Sequence, residues 1–147
     1  MYKRQVQAAV DAAYAAGGGC VFINEGEYLL SGIIDIKSNV YLTGAGGYGA
    51  YSTTLVSSSD VNSSDKSFIT MKNNSKISGL ILKSGILPQI SAGNYKNDTL
   101  GIYAENADIY INNIKAEGFT YGVYLTGAGG DISESTVSNS AVSYTHL

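Results

Sequence analysis

The chain has 147 residues, 44% hydrophobic and 14% charged, with nine Lys and Arg against twelve Asp and Glu. That length holds one domain rather than two, the weakly acidic balance lacks the basic stripe of a nucleic-acid binder, and no apolar run approaches the roughly 18–20 residues of a membrane span. The single cysteine, Cys20, excludes an internal disulfide framework and a cysteine-based zinc site.

Both ends read as foreign to the domain. Residues 1–5, MYKRQ, and 142–147, VSYTHL, match translations of one sequencing-library transposon end in complementary orientations, and such tails stand outside fold reasoning. The native stretch is then expected to be 6–141, part of one domain cut at both sides. It holds seven lysines, no arginine and no histidine against twelve acidic residues.

In chain order, 6–16 (VQAAVDAAYAA) predicts a helix, with Val6, Ala9, Val10, Ala13 and Tyr14 on one face and Gly17, Gly18 and Gly19 ending it. Cys20 follows and reads as a buried free thiol, since no native histidine could activate it as a nucleophile. From Val21 onward the sequence is strand-like, in short apolar runs separated by turns: Val21-Phe22-Ile23, Tyr28-Leu29-Leu30, Ile34-Asp35-Ile36 and Val40-Tyr41-Leu42.

An internal repeat orders these runs. Gly101-Ile102-Tyr103-Ala104 recurs as Gly122-Val123-Tyr124-Leu125. In that register Ile111 falls on Ile132 and Ala116 on Val137. With insertions, Ile34 and Ile36, then Ile69 and Met71, match Ile102 and Ala104; Leu42 and Ile77 match Ile111; Leu80 and Leu82 match Ile114 and Ala116. Coils between 20 and 141 are thus expected to stack as a solenoid of about four turns with about three short strands each. The inward set also includes Val40, Ile109, Val123 and Leu125. Corner residues fit: Asn39, Asn74, Asp108 and Gly129 precede the second strand, and Gly44, Gly79, Asn113 and Glu134 follow it, so seven of the eight tolerate a left-handed backbone. Stretches near 48–67 and 83–98 read as insertions at the corners. The helix would cover the open edge of the first coil.

The stretch 9–46, AVDAAYAAGGGCVFINEGEYLLSGIIDIKSNVYLTGAG, resembles the start of the pectate-lyase superfamily. The matching residues are Gly17, Gly18, Gly19, Val21, Gly26, Tyr28, Ser38-Asn39-Val40, Leu42 and Gly44, with Asn24 where proline is usual. Ile77-Ser78-Gly79-Leu80 and the two Gly-Ile/Val-Tyr coils are similar to the family as well. The resemblance implies an all-β fold: a right-handed, single-stranded parallel β-helix with a short N-terminal capping α-helix, here truncated at its C-terminus.

The chemistry is sparser. Gly44-Ala45-Gly46-Gly47-Tyr48-Gly49 satisfies G-x-G-x-x-G, but Ala50 to Val56 favours loop and strand where a dinucleotide site needs a helix. Asn97-Asp98-Thr99 has the wrong order for a polygalacturonase. Asp98, Glu105 and Asp108 are close in sequence yet flank a strand, whereas an inverting hydrolase needs two carboxylates about 6.5–9.5 Å apart. Outward positions are expected to be Asp35, Thr70, Tyr103 and Tyr124 on the first strand, and Tyr41, Lys76, Tyr110 and Asp131 on the second. Tyr103 over Tyr124 would form an aromatic ladder on which sugar rings stack. Tyr103, Tyr124, Tyr110, Asp98 and Glu105 are therefore the candidate substrate-binding residues; no metal ligands are expected.

The resemblance implies a carbohydrate-active protein, a polysaccharide lyase or glycoside hydrolase acting on an acidic polysaccharide outside the cell, with catalytic residues downstream of Ala141. Lyases of this fold use calcium held by acidic clusters and a base that is often arginine. The stretch offers neither, so no cofactor is expected in it and calcium is assigned to the full-length protein. Two alternatives stand beside this reading. One is a phage tailspike or tail-fibre protein on the virion, which would form a trimer; the other is a non-catalytic surface adhesin. The expected partner is polysaccharide in every case, with no nucleic acid and no membrane span.

Overall fold

A computed structural model describes residues 2–30, 33–46, 51–57, 67–85, 90–91, 94–95, 100–119, 121–127, 129–133, 135–138 and 141–145. Helix α1 (Tyr2–Ala15) leads into β1 (Gly19–Ile23) and β2 (Gly26–Leu30), the first level of a stack. The second level is β3 (Ile34–Ile36), β4 (Val40–Gly44) and β5 (Thr53–Ser57), and the third is β6 (Ser67–Met71) and the long β7 (Ser75–Ser84). A small antiparallel pair follows, β8 (Ile90–Ser91) and β9 (Asn94–Tyr95). The fourth level is β10 (Leu100–Glu105) and β11 (Asp108–Glu117), the fifth is β12 (Tyr121–Thr126), β13 (Gly129–Ser133) and β14 (Thr136–Ser138), and β15 (Ala141–Thr145) opens the next.

All pairing between levels is parallel and makes three faces. The first runs β3-β6-β10-β12-β15. The second runs β1-β4-β7-β11-β13, using the first halves of the two long strands. The third joins β2, β5 and β14 to the second halves. This is a parallel β-helix, and the register is the one the repeat predicts. Ile34, Ile69, Ile102 and Val123 pair in succession, as do Leu42, Ile77, Ile111 and Ile132. Every expected inward residue through Leu125 is buried and Ile132 is half-buried. Of Val137 only the backbone pairing with Ala116 is described.

Four local expectations are corrected. The helix starts at Tyr2, not residue 6, and ends at Ala15. Its buried stripe is Val6 and Val10, with Ala13 half-buried, while Ala9 and Tyr14 are exposed. A helix laid on a strand edge buries a narrow i, i+4, i+7 stripe rather than a broad face. Cys20 is exposed, because Ile23 takes the inward place in β1 and alternation turns Cys20 outward beside Tyr41. The supposed insertion near 48–67 contains β5, whose Leu55 is fully buried between Tyr28 and Leu82 in register.

The left-handed corners are also redistributed. Asn39, Asn74, Gly79 and Asn113 have positive φ, whereas Asp108, Gly129 and Gly44 do not; Glu134 lies outside the described residues. In the fourth and fifth levels the first corner is one residue longer, and Asn106 (φ 49°) and Gly127 (φ 58°) take the left-handed place. Gly44 is required for another reason. A Cβ there would collide with the Leu80 side chain and lie 2.6 Å from the Gly79 carbonyl oxygen.

The helix does more than cover apolar surface. Gln7 Nε2 donates to the Asp35 carbonyl at 3.0 Å, and the Asp35 N–H donates to Gln7 Oε1 at 2.9 Å. The side-chain amide therefore pairs with β3 as a peptide unit of a neighbouring strand would, satisfying groups that an edge leaves open. Gln7 Nε2 also donates to Asp11 Oδ1 at 3.0 Å, and Asp11 forms an ion pair with Lys37 at 2.9 Å. Hydrogen bonds from Lys37 and then Gln7 hold the Asp11 carboxyl below its ordinary 3.8, and the bond to Asp11 holds the Lys37 ammonium above its ordinary 10.5.

Gln7→Ala is expected to lower stability by about 1–3 kcal/mol, the cost of stranding polar groups at the edge, and to speed amide exchange at Asp35. The Asp11–Lys37 anchor follows pH with a defined sign. A depressed carboxyl contributes stability that is present above its unfolded pKa and lost as pH falls through the folded value. Asp11→Asn should therefore destabilise at neutral pH and make progressively less difference below about pH 4. Paired thermal melts across pH check both statements.

Candidate functional site

In-register stacking turns outward positions into columns, one rung of about 4.8 Å per level. On the first face the column reads Asp35, Thr70, Tyr103 and Tyr124. Thr70 Oγ1 donates to Asp35 Oδ1 at 2.8 Å, which makes one end polar. Tyr103 and Tyr124 stack with ring centroids 5.9 Å apart and planes at 20°, the aromatic ladder expected from the repeat. The Tyr103 hydroxyl donates to Glu105 Oε2 at 3.0 Å. An open depression of about 350 Å³ lies alongside, lined among others by Thr70, Lys72, Tyr103, Glu105 and Asn106. It gathers an aromatic ring, a hydroxyl, a carboxylate, an amide and an ammonium.

The neighbouring packing fixes this face. Phe68, one position before the Ile69 rung, is buried, and its ring stacks on Phe119 with centroids 6.1 Å apart at 24°. Gly101 sits opposite Phe68 between the paired positions Leu100–Ser67 and Ile102–Ile69. A Cβ at Gly101 would stand 3.1 Å from Phe119 Cδ2 and collide with the Gly122 carbonyl. Gly101 is therefore a spacer that lets the Phe119 ring and the Gly122 backbone approach closely.

The structure divides the sequence candidates. Tyr103, Tyr124 and Glu105 share the first face. Tyr110 does not: it belongs to the second face, in a column with Tyr41, Lys76 and Asp131. Asp98 lies outside the described residues. Glu105 and Asp108 stand on either side of the left-handed Asn106, at the end of one face and the start of the next. The G-x-G-x-x-G run is followed by strand β5 and not by a helix, which removes the dinucleotide geometry; its residues 47–49 lie outside the described set. Sequence reasoning missed Lys72, which the turn between β6 and β7 brings to the depression, and the Phe68–Phe119 pair, which the repeat does not signal.

Calcium takes six to eight oxygen ligands. Among the described residues no three of His, Cys, Asp and Glu gather to hold a metal, so these residues do not fit a calcium cage. Among them, too, no helix is long and apolar enough to cross a membrane.

No family model matches the chain. Mannuronan C5-epimerase AlgE5 of Azotobacter vinelandii is 56% identical over 48 residues, 28% of this chain and 5% of that protein. Alginate lyase 7 of the same organism is 52% identical over 48 residues, 28% of this chain and 6% of that protein. The chain thus spans a small part of the curated relatives it matches. Among solved structures, a candidate glycosyl hydrolase from Parabacteroides merdae superposes with a TM-score of 0.71 at 18% identity, over 94% of this chain and 68% of that one. The A-module of mannuronan C-5 epimerase AlgE4 from A. vinelandii superposes with a TM-score of 0.57 at 21% identity, over 94% and 44%. At these identities the structural likeness establishes the fold.

Gly101→Ala tests the spacer role. It should cost about 1–3 kcal/mol, the range for overpacking a tight site, and shift the resonances of both Phe68 and Tyr103. An equally stable variant with unshifted resonances would contradict the packing described.

Proposed function

We propose that the first face binds a chain of acidic sugar residues, and that these coils are the substrate-holding part of an extracellular protein that works on an acidic polysaccharide. The Tyr103–Tyr124 stack beside Glu105 carries this reading. A pyranose ring lays its C–H face on an aromatic ring, and its hydroxyls exchange hydrogen bonds with carboxylate, hydroxyl and amide groups. Glu105, Thr70 and Asn106 supply those groups, and Lys72 in the same depression supplies a charge for a uronate carboxylate. The relatives support an acidic chain, since their names place them on mannuronan and alginate. The pectate-lyase superfamily resemblance points the same way.

The relatives' names also favour one reaction class. C5 epimerisation and lyase cleavage of a uronate share an opening step, removal of the C5 proton beside the carboxyl. Glycoside hydrolysis instead needs two carboxylates about the bond, and Glu105 is the one carboxylate among the described residues that line the depression. The described coils hold and orient the chain, and the groups that move the proton lie downstream. Residues 6–141 hold neither histidine nor arginine.

Calorimetric titration with a mannuronate hexasaccharide tests the binding face. Tyr103→Ala and Tyr124→Ala should each weaken binding by roughly 3- to 10-fold, the worth of one aromatic contact, while a neutral oligosaccharide binds less tightly than the acidic one. Unchanged affinity in both variants would remove the face from the account. The chain should form no unsaturated sugar product; turnover abolished by Glu105→Gln would instead place the chemistry inside these coils.

A further inference from the structure

From the second face we infer that the β-helix carries another acidic-sugar subsite, centred on Lys76 between Tyr41 and Tyr110 and separate from the first-face site. These three residues occupy successive rungs of one outward column. Lys76 Nζ lies 4.8 Å from the centroid of the Tyr41 ring. The Tyr41 hydroxyl is tied to Ser78 Oγ, which also meets Thr43 Oγ1 at 3.0 Å, so the ring beneath the ammonium is fixed from the next level. Tyr110 is 41% exposed on the other side of Lys76. Asn39 and Asn74 close the rim, with Asn74 Nδ2 donating to Asn39 Oδ1 at 2.7 Å. Together with Val40 these residues line an open depression of about 400 Å³.

Each component matches one part of a uronate ring. Tyr110 offers a face for the C–H side of the sugar. The Asn39 amide N–H₂ and the Asn74 amide oxygen offer a donor and an acceptor for hydroxyls. Lys76, which makes no ion pair among the described residues, offers its ammonium to the carboxylate. A bare phosphate would leave the aromatic face and the amide oxygen unused. A nucleic acid, with a charge every ~1.7 Å of duplex, meets a single cation here on a chain of net charge −3. Asp131, one rung beyond Tyr110, makes that end of the column acidic. The carboxylate therefore points toward Lys76 and the neutral edge of the sugar toward Tyr110.

The experiment is a titration of the ¹⁵N-labelled chain with a uronate trisaccharide and, in parallel, with its neutral hexose counterpart. The acidic sugar should shift the amides of Asn39, Asn74, Lys76 and Tyr110, and the neutral one should shift them far less. Lys76→Gln should weaken this binding by about tenfold, the loss of one charge-assisted hydrogen bond, with Lys76→Arg retaining it. Tyr110→Ala should weaken it without altering the thermal melt. In the Tyr103→Ala/Tyr124→Ala variant these second-face shifts should persist, so the subsite survives even where first-face binding fails. Equal binding of both sugars, indifference to Lys76→Gln, or loss of the second-face shifts in the first-face variant would overturn the inference.

Discussion

Parallel pairing in strict register between successive levels is the constraint from which the rest of this molecule follows. Each strand residue meets its counterpart about 4.8 Å above and below, so a choice of residue type at one position becomes a column. Inward columns are mostly apolar, and a polar member such as the fully buried Ser75, in register with Ile109, donates its hydroxyl to the Lys72 carbonyl. The column of Tyr28, Leu55, Leu82 and Ala116 is one such line. Outward columns are released from packing and can gather chemistry. Because side chains alternate, a slip of one residue would exchange the two sets. The two tyrosine-bearing columns and the Ile-rich core are thus one decision expressed on both sides of a sheet.

A stack of this kind must manage its edge and its corners. At the first level the first face has no strand, and α1 stands in its place. Val10 fills the apolar end of the core while the Gln7 amide imitates a peptide unit against Asp35. At the corners the chain turns through left-handed residues, and the number of residues in the turn decides which one. Asn39 and Asn74 occupy equal places in equal turns, and their side chains hydrogen-bond to each other. Asn106 and Gly127 do the same job in turns one residue longer. The corner between the first two faces is also where both depressions open, so turn geometry sets what each face can hold.

Much of this was legible in the repeated Gly-Ile-Tyr-Ala and Gly-Val-Tyr-Leu segments, because inward periodicity survives insertions of any length. The pairing of Ile34 with Ile69 and Ile102 and the stacking of Tyr103 on Tyr124 follow from it. What escaped depends on features that periodicity does not carry. Turn length moved the left-handed places off Asp108 and Gly129. A helix on an edge buries fewer positions than its apolar stripe suggests, which left Ala9 and Tyr14 in solvent. Cys20 looked like core by composition, yet the inward phase of β1 is set by Ile23. Lys72 gave no signal at all, since its place in the depression comes from a turn that brings two faces together.

The functional reading inherits its strength from the register. Two surfaces, one with paired tyrosines and a carboxylate and one with a lysine between tyrosines, exist only if the levels meet as described. Cysteine pairing in a Cys20→Ser background tests this directly. Disulfides close when Cα atoms lie about 4.4–6.8 Å apart with Cβ vectors on the same side. Cysteines placed at Tyr103 and Tyr124 should oxidise rapidly to a disulfide in the folded chain, and cysteines at Ile102 and Tyr124, whose side chains point to opposite faces, should not. Closure of the Ile102–Tyr124 pair, with the Tyr103–Tyr124 pair left reduced, would contradict the register and with it both proposed sugar-binding faces.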